Sequence, residues 1–489
     1  MNRIPRLFPE GCASTAQRLT TGRVSTAQGT SSRRCWPQVR AARTLALAVL
    51  IGLLAPAALP RPGQAFCGFY VATGDMRLYN RASKVVIARD GDRTVLTMSS
   101  DFRGDPKEFA VVVPVPVVLE KGQVHIGDST AVTHLDDFSV PRLVEYTDPN
   151  PCPEPGALDV KGDRKIAINK MSEVHYRGGG ADEAISIVAQ YKVDEYDILI
   201  LSAEEGHALG DWLRARGYTM PPGAESVLSS YIKQGMYFFV AKVDVSEQQR
   251  LGYHYLRPIQ VAYESPRFML PIRLGMVNAD GTQEMFVFTL TRRGRVESTN
   301  YRTVRMPTDV NVPEFVKGEF ASFYPLVFAN ERRKEGEDAL YLEYAWAVSP
   351  VRVTCDPCTG PNLRPEELRG LGAYWVAANG APGPDVFLTR LHVRYDARHF
   401  PEDLQFHETG DRQNWQARYV IHHPYPGNDE CAEWKSYLRS VWARRKEEAA
   451  DYAALTGVDE GSVRQRMGMR DDGSSGDEAL NWWERIWRR

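Results

Sequence analysis

Two cysteines separated by two residues form the pattern with the most specific chemistry in this sequence. Cys355 and Cys358 enclose an Asp-Pro dipeptide, and such a CxxC pair can act as a redox dithiol, supply half of a zinc site or close a structural disulfide loop. A redox pair requires its first cysteine at a helix N-terminus, where the helix dipole lowers the pKa of the thiol. The Thr-Gly-Pro that follows opposes a helix, so we favour the structural loop and keep the redox and metal roles as alternatives.

The remaining cysteines predict further disulfides. The chain has seven cysteines, and Cys12 and Cys35 fall in a segment that we expect to be removed. Five disulfide candidates then remain: Cys67, Cys152, Cys355, Cys358 and Cys431. Two bridges and one leftover thiol are the simplest arrangement for a protein in an oxidising compartment, and the pairing stays open because spacing does not determine it.

The histidines and one serine suggest weaker possibilities. His407, His422 and His423 could gather around a metal ion on adjacent strands, but neighbouring strand residues point to opposite faces. At most one of His422 and His423 should therefore join a cluster, and no HExxH motif occurs. Ser230 and Lys233 have the SxxK spacing without its companion motifs. We predict no metal site and no cofactor, with an unrecognised hydrolase kept as an alternative.

Tryptophans near the C-terminus define a candidate interaction face. Residues 480–487 predict a helix that carries Trp482, Trp483 and Trp487, with arginines at its rim, after a flexible linker at 471–476. Exposed tryptophan beside arginine is typical of interfacial helices and of binding hot spots. The helix is expected either to dock on the preceding domain or to contact a partner or a membrane surface peripherally.

Residues 1–65 have the composition of a targeting leader. Arg40 and Arg43 precede an apolar run at 45–54, and a small residue, Ala65, lies where signal peptidase cleaves. The run is half of the roughly 20 apolar residues that span a bilayer, so it is typical of a signal core and not of an anchor. We expect an exported protein, periplasmic or extracellular after cleavage, by either the general or the twin-arginine route.

The charge of the remaining chain argues against nucleic acid as a partner. The leader holds nine arginines, no lysine and one acid, Glu10, so a whole-chain net charge of -2 leaves the rest of the protein acidic. Phosphate binding requires clustered lysine and arginine. No later segment predicts a transmembrane helix.

The elements that must position these residues alternate between runs of strands and runs of helices. A hairpin is predicted from strands at 83–88 and 94–99 around Gly91, and a third strand at 109–113 is expected to end at an edge because Pro114 cannot donate a ladder hydrogen bond. Further strands are predicted at 185–191, 196–201, 236–245, 260–263, 268–277, 285–291, 296–306, 339–348 and 386–395.

Helices are predicted between these strands. The first is 129–146, capped by Ser129 and kinked at Pro141. A helical hairpin follows, with its first helix at 203–216, capped by Ser202, and its second helix ending at Tyr231. Two more helices are predicted, from Pro313 to about 328 and at 430–455. The absence of regular βα alternation predicts an α+β fold of mainly antiparallel or mixed sheets with helical hairpins packed on them, supported by disulfides.

We predict three segments along the chain. The leader covers 1–65, an α+β domain covers 66–456, and a linker with the tryptophan-rich helix covers 457–489. A break between two subdomains could fall at 148–162 or at 306–313, where proline-containing connectors occur.

Several motifs together resemble a known family. They are CGFYV from residue 67, RDGDRTVLTM from 89, GDPKEF from 104, PVP from 114, PRLVEY from 141, LSAEE from 201 and the CDPC at 355–358. Over about residues 66–450 the chain resembles the exported bacterial proteins of domain of unknown function 2330. The resemblance implies export but no reaction, ligand or catalytic residue. Phe66 departs from family members that carry a small residue before the cysteine.

We therefore expect a non-enzymatic exported protein that binds an unknown protein partner or envelope component as a scaffold. The alternative is an enzyme, either a thiol-disulfide oxidoreductase that uses Cys355 and Cys358 or a hydrolase.

Overall fold

The computed structural model describes residues 69–72, 79–103, 109–152, 185–251, 256–277, 279, 281–348, 360–377, 386–427 and 431–469. The leader, Cys67, the CxxC pair Cys355 and Cys358, and the predicted C-terminal helix with Trp482, Trp483 and Trp487 lie outside the described residues. The predictions for these segments stay predictions.

A nine-stranded mixed sheet forms the centre of the fold. Its hairpin turns at Gly91, whose φ of 59° lies in the left-handed region that glycine adopts without strain. The strands in spatial order are β14 (Arg302–Arg305), β16 (Ala339–Val348), β17 (Val386–Tyr395), β12 (Gln283–Thr291), β2 (Tyr79–Asp90), β3 (Arg93–Arg103), β10 (Ile259–Glu264) and β5 (Val124–Ile126), with β19 (Trp415–Gln416) paired to β16.

A five-stranded antiparallel sheet packs against the first sheet. Its spatial order is β1 (Phe69–Ala72), β4 (Phe109–Val115), β9 (Tyr237–Val243), β8 (Tyr196–Ala203) and β7 (Ile185–Val193). Alternate side chains of the two sheets, such as Val85, Ile87, Val113 and Phe239, share one buried core. Strand β4 lies between β1 and β9 and extends beyond its predicted end, through Pro114 to Val115. At Pro114 the described residues pair it with β9 alone, which agrees with the predicted edge position of this end.

Two small sheets complete the strands. One is antiparallel and joins β11 (Met269–Leu270), β18 (Leu404–Glu408) and β13 (Val296–Ser298). The other is parallel, with β20 (Arg418–His423) between β15 (Val310–Asn311) and β6 (Arg142–Thr147). Because β6 and β15 lie beside the two proposed subdomain breaks and both pair with β20, this sheet joins the segments that a break would separate.

Helices cover the outer faces of the sheets. In chain order they are α1 (Ser129–Ser139), α2 (Gly206–Ala215), α3 (Ala224–Lys233), α4 (Val245–Arg250), α5 (Arg273–Val277), α6 (Phe320–Glu335), α7 (Pro365–Gly370), α8 (Trp434–Thr456) and α9 (Glu460–Arg466), with 3-10 turns at Lys121–Gln123 and Glu314–Gly318. Helices α1 and α7 cover the nine-stranded sheet, the α2–α3 hairpin covers the five-stranded sheet, and α6, α8 and α9 cover the parallel sheet. The predicted α+β fold is confirmed.

Five predicted elements are wrong in type or extent. The strand predicted at 296–306 divides into β13 and β14, which belong to different sheets. Helix α1 begins after the cap Asp128, whose side chain accepts a hydrogen bond from the Thr130 backbone N–H, and it ends before Pro141, beyond which the chain forms strand β6. Strand β8 continues through Ser202, so α2 begins at Gly206. The strand predicted at 268–277 is instead β11 followed by α5, and the helix predicted from Pro313 consists of a 3-10 turn and then α6.

The folded part extends beyond the predicted boundary at residue 457. Gly457 ends α8 with a φ of 74°, and α9 then packs back with Val463 buried in the core formed with α6 and α8. The part of the chain that the structure describes includes no helix long and apolar enough to cross a membrane.

Candidate functional site

A cleft of about 410 Å³ opens between the carboxyl end of β20 and the middle of α8. We call it the histidine cleft. Its lining residues are Pro313, Glu314, Phe315, His422, His423, Pro424, Val441, Arg444, Arg445, Glu448, Arg466 and Met467. Its volume falls within the range of about 300–1,000 Å³ that is typical of small-molecule sites.

The parallel sheet positions the two histidines. Strand β20 lies between β6 and β15 and ends at His423, whose carbonyl accepts a hydrogen bond of 2.9 Å from the Asp148 backbone N–H. The side chains of His422 and His423 find different partners, as expected of neighbouring strand residues. Both nevertheless line the cleft, because it opens where the strand ends. The prediction that at most one of them could join a metal cluster is not contradicted, because lining a cleft is not coordination of a metal ion.

Helix α8 supplies the charged wall. Its buried side follows a spacing of four and three residues through Trp434, Leu438 and Val441 and resumes at Tyr452 and Leu455. The two positions between these apolar stretches are occupied by Arg445 and Glu448. The packing of α8 therefore places two charged side chains at positions where its amphipathic pattern predicts apolar ones.

A disulfide ties this wall to the parallel sheet. Cys152 and Cys431 are bonded, with Cα atoms 5.8 Å apart and a sequence separation of 279 residues. The bond packs with Trp434 and Tyr437 of the first turn of α8. Two of the five predicted disulfide candidates thus pair with each other, and they fix the start of α8 to the segment that follows β6.

Asp148 connects the same two elements through hydrogen bonds. Its carboxylate accepts bonds from both terminal nitrogens of Arg444, at 2.9 and 2.8 Å, and from the Tyr437 hydroxyl at 2.8 Å. Burial acts to raise the pKa of this carboxyl, but the bonds from Arg444 and Tyr437 outweigh it and hold the pKa below its ordinary value. Asp148 is therefore an anion that holds Arg444 in place.

Glu448 has the opposite character. It is only 5% exposed, and among the residues that the structure describes its carboxyl has one polar contact, with Arg444 Nε at 3.5 Å. Burial raises its pKa to about 7, against the attraction of Arg444 and Arg445, which acts to lower it. A carboxyl that holds a proton near neutral pH inside a cleft is typical of functional sites.

The histidines differ in their surroundings. Burial, together with the neighbouring charge of Arg444, lowers the pKa of His422, whose Nδ1 lies 3.9 Å from Asp148 Oδ1. His423 Nε2 lies 2.6 Å from Glu145 Oε2, and its Nδ1 lies 3.7 Å from Glu314 Oε1. The cleft thus brings a carboxyl of raised pKa and an imidazole of lowered pKa to one surface, which is the pairing that acid–base chemistry uses.

The other predicted candidates lie elsewhere. His407 is exposed on β18, opposite Glu297 of β13, and this strand belongs to a different sheet from β20. Ser230 donates its hydroxyl hydrogen bond to the Val227 carbonyl at 2.6 Å within α3. Within the described ranges, no group of three or more histidine, cysteine, aspartate or glutamate side chains is arranged to hold a metal ion.

A second cleft, of about 630 Å³, lies beside β11 and β18. Its buried carboxylate, Asp403, accepts hydrogen bonds from the Tyr231 hydroxyl at 2.6 Å and the Ile272 backbone N–H at 2.9 Å. The guanidinium of Arg273 adds two more, at 3.1 and 2.9 Å. Because these donors saturate Asp403, it holds the local structure together and offers little to a ligand.

A third group of charges lies buried between the nine-stranded sheet and helices α1 and α6. We call it the sheet network. Glu343 of β16 is fully buried and accepts hydrogen bonds from Tyr324 at 2.5 Å and from Arg390 Nε at 2.6 Å, and His392 Nδ1 lies 2.8 Å from it. Glu284, 2.9 Å from the other nitrogen of His392, continues the network.

The sheet network keeps its charges. Burial acts against ionisation, but the charges of His392 and Arg390 and their hydrogen bonds lower the pKa of Glu343 to about 2. His392 is stacked between Phe328 and Phe286, with ring centroids at 3.7 and 4.4 Å. Because each of these buried charges meets a partner of opposite charge, the sheet network is a structural feature.

An α+β protein with a disulfide-tied cleft is thus the class that the fold and the site define. The family described as uncharacterized protein conserved in bacteria (DUF2330) matches residues 61–407, and the chain belongs to this family. The resemblance predicted from the motifs is confirmed. The curated proteins and the solved structures contain no match to this chain. Most residues that line the histidine cleft lie beyond residue 407, outside the matched segment.

The sequence held a signal for Glu448 that the predictions missed. The apolar residues of 430–455 predict a helix, and Arg445 and Glu448 continue the same four-and-three spacing as charged residues on its buried side. A charged residue at a buried position of an amphipathic helix is a rare event that calls for a partner or a function.

Proposed function

We propose that the protein is exported, works in the periplasm or outside the cell, and binds a small ligand of the cell envelope in the histidine cleft. The observation that carries this proposal is the disulfide between Cys152 and Cys431, which packs against the first turns of α8. Disulfides persist in oxidising compartments and are rare in the cytosol. The predicted leader at 1–65 supports the same location.

Binding is favoured over catalysis by the composition of the cleft. Its lining residues include no serine, threonine or cysteine among those described, so no side-chain nucleophile of these types faces a ligand there. The charged groups come from a helix, a strand and a turn that are fixed by packing and by the disulfide. A rigid, mixed polar and apolar cleft is suited to recognition.

Export and the disulfide are tested together on protein produced in a bacterial host. We expect N-terminal sequencing of the periplasmic fraction to begin at Phe66, and mass spectrometry of unreduced peptides to find Cys152 linked to Cys431. Full-length protein that starts at Met1 and remains in the cytosol with both thiols free would refute the proposal.

Ligand binding is tested by native mass spectrometry of the exported protein. We expect a bound small molecule that is lost in Glu314→Trp, which places an indole at the rim of the cleft, and retained in Glu335→Trp, a control on α6 away from it. Equal retention in both variants would place the ligand elsewhere.

A hydrolase is the second candidate, because Glu448 and His422 have pKa values shifted in opposite directions in one cleft. In that case Glu448 would act as general acid and His422 as the base that activates water. Hydrolysis of an ester or glycoside panel that disappears in Glu448→Gln would favour this enzyme over a binding protein. Thiol-disulfide exchange at Cys355 and Cys358, peripheral contact through Trp482, Trp483 and Trp487, and the absence of a nucleic-acid partner remain predictions from the sequence.

A further inference from the structure

We propose that the ligand of the histidine cleft is a small organic carboxylate and that Glu448, as a carboxylic acid, donates a hydrogen bond to it. This inference rests on the proposed binding function and adds the chemical class of the ligand and the role of one residue. It follows from the balance of charges in the cleft, from the contacts that Glu448 lacks and from the apolar side of the lining.

The balance of charges favours an anion. Three arginines line the cleft, and their partners differ. Asp148 holds Arg444 and Glu319 contacts Arg466, whereas Arg445 donates a hydrogen bond of 2.7 Å to the uncharged carbonyl of Met467. Two glutamates belong to the lining itself, and one of these, Glu314, is 73% exposed at the rim, where water screens its charge. A carboxylate placed between α8 and β20 would lie beside Arg445, and its negative charge would offset the burial that lowers the pKa of this arginine.

The position of Glu448 calls for an acceptor. A buried carboxyl is ordinarily satisfied by several hydrogen bonds, as Asp148 is by Arg444 and Tyr437. The described residues give Glu448 only the 3.5 Å contact with Arg444. In its protonated form Glu448 has a hydroxyl to donate. A ligand carboxylate accepts that bond. A ligand amine brings its own donors and a positive charge, which the arginines of the lining would repel.

The rest of the lining suits an apolar body. Phe315, Val441 and Met467 contribute apolar surface beside the charged groups, and the guanidinium of Arg466 lies 3.8 Å from the centre of the Phe315 ring. A ligand that joins one carboxylate to a ring or a short alkyl chain would satisfy both parts of the cleft. Benzoate and hexanoate have this form.

Binding should therefore take up a proton near neutral pH. The charged and titratable groups around Glu448 are Arg444 and Arg445 on its own helix, Asp148 after β6, His422 and His423 on β20, Glu314 before α6 and Arg466 on α9. A ligand anion favours the protonated form of Glu448, whose pKa is about 7, and disfavours the carboxylate. Affinity for a carboxylate thus increases as the pH falls through this value.

Calorimetric titration of the exported, disulfide-bonded protein with benzoate and hexanoate tests the inference. We expect affinity to be about tenfold higher at about pH 6 than at about pH 8, with uptake of about one proton at the higher pH, measured from the dependence of the binding heat on the buffer. Glu448→Gln should remove this dependence and bind at the higher pH as the unchanged protein binds at the lower one.

Three controls separate the outcomes. Glu314→Gln removes the same charge from the exposed rim and should keep the tenfold ratio, and Glu335→Gln on α6, away from the cleft, should keep it as well. Benzamide, which is uncharged, should bind weakly at both pH values. A ratio that persists in Glu448→Gln, or absence of carboxylate binding at both pH values, overturns the inference. Binding of benzylamine without benzoate would overturn it and leave the proposed binding function standing, whereas a cytosolic protein with reduced cysteines would overturn the binding function itself.

Discussion

Two buried glutamates in this protein have opposite proton affinities. Glu343 in the sheet network is fully buried and has a pKa of about 2, and Glu448 in the histidine cleft is 5% exposed and has a pKa of about 7. Burial alone raises the pKa of both groups. The difference comes from their partners, because Glu343 has three close ones in Tyr324, Arg390 and His392, and Glu448 has one distant contact.

The comparison separates structural from functional burial of charge. A saturated ion cluster gains little from a ligand, and breaking it exposes the remaining charges to an apolar interior. A carboxyl that is buried without partners already carries the cost of desolvation, and a ligand that supplies an acceptor relieves it. The number of hydrogen-bond partners that a buried charged group lacks, more than its depth of burial, identifies the candidate site.

The largest expected effect is the loss of the centre of the sheet network. Glu343→Gln should destabilise the protein by about 3–5 kcal/mol at neutral pH, because Arg390 and His392 would stay buried without their shared counter-charge. Urea unfolding measures the change. Glu264→Gln, which breaks an exposed pair with Arg93, is the control and should leave the free energy of unfolding nearly unchanged. Equal effects of the two variants would contradict a structural role for the network.

The second effect concerns the disulfide, which supports the histidine cleft and not the sheet network. Cys152→Ser with Cys431→Ser should destabilise the protein by about 3–4 kcal/mol, because the unfolded chain regains the freedom that a long closed loop removes. Since the bond holds the start of α8 against the cleft, its loss should admit water and lower the pKa of Glu448 toward ordinary values. Carbon-13 NMR of labelled glutamate measures this pKa, and an unchanged value would show that the bond does not shape the cleft.

The third effect is a contrast in pH dependence between the two glutamates. The pKa of Glu448 is raised, so its contribution to stability is present at acidic pH and is lost as the pH rises through about 7. The pKa of Glu343 is lowered, so its contribution is present above about pH 4.5 and is lost as the pH falls toward 2.

Glu448→Gln isolates the first of these contributions. Because the variant removes the penalty of charging a buried carboxylate, it should be more stable than the unchanged protein by about 2 kcal/mol at about pH 8 and nearly equal to it at about pH 5. Denaturant unfolding at both pH values measures the difference. A variant that is less stable at the higher pH would mean that Glu448 is ionised and paired there.

The smallest effect tests the edge of the sheet network. Lys84→Met removes an ion pair of 2.7 Å with Asp136, which keeps its contact of 2.5 Å with Arg390. Because Lys84 and Asp136 are both partly exposed and Asp136 retains a cation, the cost should be about 1 kcal/mol. Thermal unfolding measures it, and a loss as large as that of Glu343→Gln would mean that the network has no distinct centre.

Much of the fold could be predicted from local patterns. The hairpin around Gly91 and the strands β8, β12, β16 and β17 follow from β-branched and apolar runs between turn residues. The errors arose where tertiary pairing decides between elements. Residues 142–147 have apolar spacing that also suits a helix, and they become strand β6 because β20, more than 270 residues later, supplies the partner.

The candidate site was harder to predict from the sequence, because its properties also depend on tertiary contacts. Charged residues inside the runs that became β16, β17 and α8, namely Glu343, Arg390, His392 and Glu448, are visible in the sequence as interruptions of apolar patterns. The sequence does not say which of them are saturated, because the partners come from other elements. That information requires the arrangement of β6, β20 and α9 around α8.

The central place of β20 in the parallel sheet sets a minimum length for a stable fragment. A polypeptide that stopped at residue 407, where the match to the family ends, would leave β6 and β15 with unpaired backbone groups and would lack the helix that covers them. Fragments intended for expression or domain mapping should therefore continue through Met469, because the autonomous unit of this chain is longer than the segment by which its family is recognised.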